Sequence, residues 1–118
     1  MGDLFDLRQE AEDALEKVWF VHSLEEIERT DITLSLRLHV RRELFVQIFY
    51  GKRSNVLYMT LVDSGRRVFG IDRDGDDWHM HPYEATEQHE PLTTGLEPRP
   101  IMKFLARIEE LLLEKDLL

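Results

Sequence analysis

Residues 32–41 of the chain read Ile-Thr-Leu-Ser-Leu-Arg-Leu-His-Val-Arg, and this stretch decides the fold. Apolar and polar side chains alternate strictly along it. A period of two places all the apolar side chains on one side of an extended strand, whereas a helix would scatter them around its surface. The stretch therefore predicts a β-strand with one face in a hydrophobic core and one polar face.

The residues on either side predict further strands separated by tight turns. Leu44–Tyr50 is apolar on both faces, which is typical of a central strand. Turn-forming clusters then separate three more predicted strands, at Val56–Val62, Arg66–Arg73 and Trp78–His81. Upstream, Trp19–Glu28 begins with aromatic and β-branched residues and predicts another strand. Because short turns join antiparallel neighbours, the strands predict a meander.

Amphipathic helices are predicted at both ends, over Asp3–Lys17 with Asp3 as its N-cap and over Ile101–Lys115 after Pro100. Residues 82–100 hold all 4 prolines and predict a long loop. A chain of 118 residues is the length of one domain. The predicted fold is thus a single α+β domain over residues 1–118, an antiparallel meander sheet of five or six strands with an N-terminal and a C-terminal helix packed on it.

The central strands carry more apolar residues than one buried face needs. Two helices on one face would bury the stripe from Ile32 to Val40. The second face is then left with too many apolar residues, because the following cannot all share a face with the partners of that stripe: Phe45, Phe49, Leu57, Met59 and Leu61. We expect the long loop or a second copy of the chain to cover that face, so a homodimer is predicted. Trp19, Trp78 and the aromatics of Leu44–Tyr50 are expected in the core rather than in a base-stacking platform.

Composition excludes several classes of protein. The chain has no Cys, which excludes disulfide scaffolds, thiol nucleophiles and cysteine metal sites. No apolar run approaches the length of a membrane span and no signal peptide is recognisable, so we expect a cytoplasmic protein without a membrane partner. The net charge of −9 argues against a general nucleic-acid binder. Residues 31–73 are nevertheless basic, with eight basic against four acidic side chains, between two acidic flanks.

The densest group of chemically active side chains lies around residues 78–89. On a strand, His79 and His81 point to the same face about 7 Å apart, a spacing that can serve a metal or a phosphate. A metal would need a third ligand, for which His89, Glu84 and Glu87 are the candidates. Because His-x-His alone falls short of a closed site, we expect neither a metal nor another cofactor.

Metal-free acid–base chemistry is the other use of this group. Two imidazoles near a guanidinium can cleave a phosphodiester, because one takes a proton, one gives a proton and the guanidinium stabilises the charge. His79 and His81 with Arg67 are therefore the candidate catalytic residues, and Arg66 lies beside Arg67. Further phosphate contacts are available from the polar side of the alternating strand, at Arg37, His39 and Arg41.

The segment Arg67-Val68-Phe69-Gly70-Ile71-Asp72, followed by Trp78-His79-Met80-His81-Pro82 and a terminal amphipathic helix, resembles the TumE family, the toxin-like halves of two-gene toxin and antitoxin modules. The resemblance runs from about Leu44 to Leu118. In this chain Arg67 and Asp72 are spread over six residues, whereas the family has a compact Arg-Tyr-Asp. The resemblance implies an α+β domain, a cognate antitoxin-like partner and an activity directed at RNA.

The sequence leaves two functions open. The first is a toxin-like component that, if it is an enzyme, is a metal-independent ribonuclease with candidate binding residues Arg66, Arg37, His39, Asp72 and Tyr83. The alternative is a small dimeric protein-interaction domain without catalysis. Growth after induced expression, alone and with the neighbouring gene, discriminates between them.

Overall fold

The computed structural model describes residues 4–118. Its elements in chain order are helix α1 (Leu4–Lys17), strands β1 (Ser23–Arg29), β2 (Thr33–Arg41), β3 (Leu44–Gly51), β4 (Val56–Asp63), β5 (Arg66–Asp74), β6 (Asp77–His81) and β7 (Glu90–Pro91), and helix α2 (Pro100–Glu114). The proposed N-cap Asp3 lies outside the described residues.

The strands form one sheet in sequence order, β1 to β7, and every neighbouring pair is antiparallel. This confirms the α+β class and the meander between two terminal helices. The sheet has 7 strands rather than five or six. The additional strand, β7, is only 2 residues long and lies inside the predicted loop. Two residues, one of them proline, show no alternation of apolar and polar side chains that would predict a strand.

Both helices pack against the same face of the sheet, which we call the helix face. The alternating residues of β2 behave as predicted, since Leu34, Leu36 and Leu38 are completely buried. From α2, Phe104 is fully buried and stacks on Phe69 of β5 with ring centroids 5.8 Å apart. The period of two in the sheet and the three-to-four period of the helices therefore meet in one hydrophobic core.

The opposite side of the sheet, which we call the open face, is less apolar than predicted. Leu57, Met59 and Leu61 pair in register with core residues of β3 and β5 and are buried on the helix face. β4 thus alternates in phase with its neighbours and adds none of these three residues to the apolar surplus of the second face. Phe45 and Phe49 do lie on the open face and are half-buried there.

The two tryptophans have different environments. Trp78 is buried as predicted, and the loop passes so closely over its ring that a Cβ on Gly95 would lie 2.3 Å from the indole nitrogen. Glycine is therefore required there. Trp19 was expected in the core but is 56% exposed, in a turn before β1, and its indole N–H donates to Glu109 on α2 at 2.7 Å. The strand predicted from Trp19 begins only at Ser23.

A buried carboxylate joins the two helices. Arg99 precedes α2 in a left-handed conformation and supplies no side-chain cap. Instead Glu10 of α1, itself 3% exposed, accepts a hydrogen bond from the backbone N–H of Met102 at 2.7 Å. A donor that the helix leaves unpaired is thus satisfied by the other helix. Burial raises the pKa of the Glu10 carboxyl, while the Met102 amide acts in the opposite direction.

Within residues 4–118, neither helix has the length and apolarity required to cross a membrane.

Phe104→Ala should lower the free energy of unfolding by about 3 kcal/mol or more, because it removes a ring that is completely buried against the sheet. Urea denaturation measures the change. Leu113→Ala is the matched control on the same helix, since Leu113 is 63% exposed and its loss should change stability by less than about 0.5 kcal/mol. Equal effects of the two substitutions would contradict the packing of α2 on the sheet.

Glu10→Gln should gain stability relative to the wild type at neutral pH and lose that advantage on acidification. The folded pKa of Glu10 lies above its unfolded value of 4.5, so the wild-type folded state binds a proton more readily than the unfolded chain. Wild-type stability consequently rises as pH falls from the folded pKa toward 4.5, whereas glutamine does not titrate. Urea denaturation of both proteins between neutral pH and pH 4.5 tests the sign, and a difference that widens in acid would contradict it.

Candidate functional site

The hairpin of β5 and β6 brings the candidate residues together. In its register Asp72 faces His79 and Gly70 faces His81. Since side chains two residues apart share a face, His79 and His81 both lie on the open face with Asp72. Gly70 has no side chain, which leaves room above β5 for the ring of His81.

His81 is held on both sides. Its Nδ1 lies 2.9 Å from the carbonyl oxygen of Thr86 and its Nε2 lies 2.9 Å from a carboxyl oxygen of Asp72. A carbonyl only accepts, so Nδ1 carries a proton and donates it. The contact to Asp72 then needs one more proton, on Nε2 or on the carboxyl group. The pair therefore holds one proton between two partly buried groups.

The environment of Asp72 is consistent with this shared proton. Burial raises the pKa of the Asp72 carboxyl, and the charge of His81 and its hydrogen bond act in the opposite direction. The backbone of Met59 and the charge of Arg67 also lower the pKa of this carboxyl. Burial prevails, so Asp72 retains its proton to a higher pH than an exposed aspartate.

His89 completes a group of three imidazoles, which we call the histidine cluster: His79, His81 and His89. The ring centroid of His89 lies 4.5 Å from that of His81 and 6.3 Å from that of His79. The chain is fixed on both sides of His89. Before it, the carbonyl of Thr86 accepts a hydrogen bond from His81, and after it, Glu90 of β7 pairs with Met80 of β6. Neither His79 nor His89 forms a hydrogen bond or ion pair with residues 4–118, so both rings are available to a ligand.

From the sequence, His89 was predicted only as a candidate metal ligand and not as a neighbour of His81 in acid–base chemistry. Its position beside His81 depends on the edge strand Glu90–Pro91 directly after it, and two residues without alternation give no signal in the sequence. Among residues 4–118, no three or more His, Cys, Asp or Glu side chains are arranged to hold a metal ion. Glu84, another candidate ligand, faces Arg66 at 3.6 Å.

Arg67 lies at the start of β5, where the register shifts by one residue and Val68 has no partner on β4. Its backbone is three residues from Gly70, which faces His81, so only its long side chain can extend toward the cluster. Arg67 is exposed and has no ion-pair or hydrogen-bond partner within residues 4–118, although its charge acts on Asp72. It is a guanidinium available to an anion near the cluster.

Arg37 and His39 do not join the cluster. The register places Arg37, Gln47, Thr60, Gly70 and His81 in one row across β2 to β6. Four strand spacings separate the ends of that row, about 19 Å. Arg37 donates to Gln47 and His39 contacts Glu25 at 2.8 Å. The two residues therefore cannot contact the phosphate that the histidine cluster would hold.

The remaining binding candidate, Tyr83, is oriented differently. Its ring packs against the hydrophobic core and lies 5.4 Å from the ammonium group of Lys115, just beyond α2. Burial raises the pKa of its hydroxyl. These contacts give Tyr83 a structural role at the end of α2.

Comparison of the chain with protein-family models, with curated proteins and with solved structures finds no match.

His81→Ala should lower the free energy of unfolding by about 1 to 3 kcal/mol, because it leaves the partly buried Asp72 carboxyl without its partner and frees Thr86. His79→Ala is the matched control on the same strand, and it should cost less than about 0.5 kcal/mol because His79 makes no hydrogen bond. Urea denaturation gives both values. A loss of stability in His81→Ala that is no larger than the loss in His79→Ala would contradict a stabilising role for the contacts of His81.

Proposed function

We propose that this chain is the toxin-like component of a two-gene toxin and antitoxin module and that it cleaves phosphodiester bonds in RNA without a metal. The observation that carries the proposal is the histidine cluster beside Asp72 on the open face. The segments that resemble the TumE family, 67–72 and 78–82, supply two of the three imidazoles and the carboxyl group.

The two unpartnered imidazoles are suited to acid–base catalysis. Groups that each reach an oxygen of the same phosphate over about 3 Å can stand about 6 to 7 Å apart. The ring centroids of His79 and His89 are 6.3 Å apart. One neutral ring would take the proton of the 2′-hydroxyl as its oxygen attacks phosphorus. The other ring, protonated, would give its proton to the departing 5′-oxygen, which leaves a cyclic phosphate and a 5′-hydroxyl.

His81 has a positioning role in this proposal, because both of its ring nitrogens are already bonded. By holding Thr86 it fixes the segment that carries His89, and its ring lies directly against that of His89. Arg67 is the candidate for stabilising the negative charge that develops on the phosphorane, since it is exposed and unpaired within residues 4–118. A cognate antitoxin-like protein that covers the open face would block all of these groups together.

Induced expression of the chain should arrest growth, and co-expression of the neighbouring gene should relieve the arrest. His79→Ala and His89→Ala should each abolish toxicity and lower RNA cleavage by about 10² to 10⁴-fold, because each removes one proton transfer. His22→Ala is the control, since this exposed histidine precedes β1 at the opposite edge of the sheet from β6 and β7. Circular dichroism should show that every variant is folded.

Full toxicity of the double variant His79→Ala/His89→Ala would contradict the proposed chemistry. Unimpaired growth on expression of the folded wild-type chain would contradict the toxin function itself and favour the second candidate.

That second candidate is a dimeric protein-interaction domain without catalysis. The observation that favours it is a pair of exposed apolar side chains on the outer side of the helices. Trp19 is 56% exposed and bonded to Glu109 of α2, and Leu113, one turn further along α2, is 63% exposed. An exposed tryptophan and an exposed leucine that both neighbour Glu109 are typical of a surface that another protein covers.

A homodimer should give twice the chain mass of 14.0 kDa in static light scattering at micromolar concentration. Leu113→Glu should shift it toward the monomer, because a charge would be buried in the contact. The control is Leu118→Glu, an exposed apolar residue at the chain end outside α2. A monomer mass for the wild type over the whole concentration range would exclude the dimer.

A further inference from the structure

An aromatic pair lies in the same row of the open face as His79. In the register of the sheet Phe49 faces Tyr58, Tyr58 faces Asp72, and Asp72 faces His79. Two strand spacings, about 10 Å, separate Tyr58 from His79. The row therefore runs from two aromatic rings to the histidine cluster.

The two rings of this pair stack and remain accessible. Their centroids are 6.1 Å apart and their planes are inclined by 20°. Tyr58 is 40% exposed although β4 is the central strand of the sheet. An exposed aromatic ring in the middle of a sheet offers its surface to a planar ligand, and every nucleobase has such a surface.

The charges next to this pair favour an anionic ligand. The guanidinium of Arg37 lies 4.6 Å from the ring centroid of Phe45 on the same face, and Arg67 is unpaired within residues 4–118. Arg37 lies on β2 and Arg67 on β5, the two strands on either side of the pair β3 and β4 that carries these rings. Two copies of the chain meeting through this face would bring those guanidinium groups together. The charge pattern therefore favours a nucleic acid over a second copy.

We propose that the open face binds single-stranded RNA, with one base stacked on Tyr58 and the neighbouring phosphodiester at the histidine cluster. This inference rests on the proposed function and names its substrate class. A base within a duplex has both of its surfaces covered by neighbouring bases, so only an unpaired base can stack on Tyr58. Tyr58 is then a binding residue that selects single strands next to the reacting bond.

The test measures binding separately from cleavage. Fluorescence anisotropy is recorded with a labelled 12-nucleotide single-stranded RNA and the double variant His79→Ala/His89→Ala, which leaves the RNA intact. Adding Tyr58→Ala should weaken binding roughly 5- to 100-fold, the loss expected for one stacked base. Tyr58→Phe keeps the ring and should bind normally. The control Phe5→Ala removes a 73% exposed aromatic from α1 and should have no effect.

The same RNA annealed to its complement should bind less tightly than the single strand. Equal binding by the duplex, or unchanged binding by Tyr58→Ala, would overturn the inference. It would also be overturned if Tyr58→Ala converted a dimer to a monomer in light scattering, because a second copy would then occupy the face. Tyr58-dependent binding by a wild-type chain that cleaves no RNA would refute the proposed function while retaining this inference. RNA cleavage by the wild-type chain that Tyr58→Ala leaves unchanged would refute this inference while retaining the proposed function.

Discussion

The packing of both terminal helices on one face of the sheet is the constraint on which the rest of the structure depends. Phe104 on α2 and the buried leucines of β2 meet in a core that lies entirely on that side. Because consecutive strands are joined by turns, no connecting segment crosses the other side between β1 and β6. The alternate residues of these strands therefore form one accessible surface, and the histidines, Asp72 and Tyr58 share it.

The pairing of His81 with Asp72 shows how that surface becomes a site rather than a solvated face. A carboxyl group that burial would otherwise leave unfavourably charged is placed against an imidazole, and the other nitrogen of the imidazole holds the backbone of Thr86. The loop is thereby attached to the sheet, and His89 arrives beside His81 as a consequence. One partly buried carboxyl on β5 thus helps to position a side chain 17 residues later in the chain.

The elements with a strong period were predictable from the sequence, whereas facts that depend on register were not. The alternation of residues 32–41 and the spacing of α2 each specify a buried side by themselves. Leu57, Met59 and Leu61 belong to the core because of their partners on β3 and β5, and a strand with apolar residues on both faces does not indicate its register. For the same reason the sequence placed His79 and His81 on one face but could not show that Arg37 lies four strands away. His89 depended on a two-residue strand without any period.

The distribution of charge in space weakens an apparent objection to an RNA-directed function. A net charge of −9 would repel a nucleic acid from an evenly charged protein. Many of the acidic side chains, however, are on the exposed sides of α1 and α2, such as Glu12, Glu16 and Glu110, and the helices pack on the helix face. A helix is about 10 to 12 Å across with its side chains, and physiological salt screens charges beyond about 8 Å. A strand of RNA on the open face would consequently be little affected by these helix charges, and it would meet Arg37 and Arg67 there together with Glu25, which faces Arg37 from β1. The balance of these local charges, and not the net charge of the whole chain, therefore governs the proposed interaction.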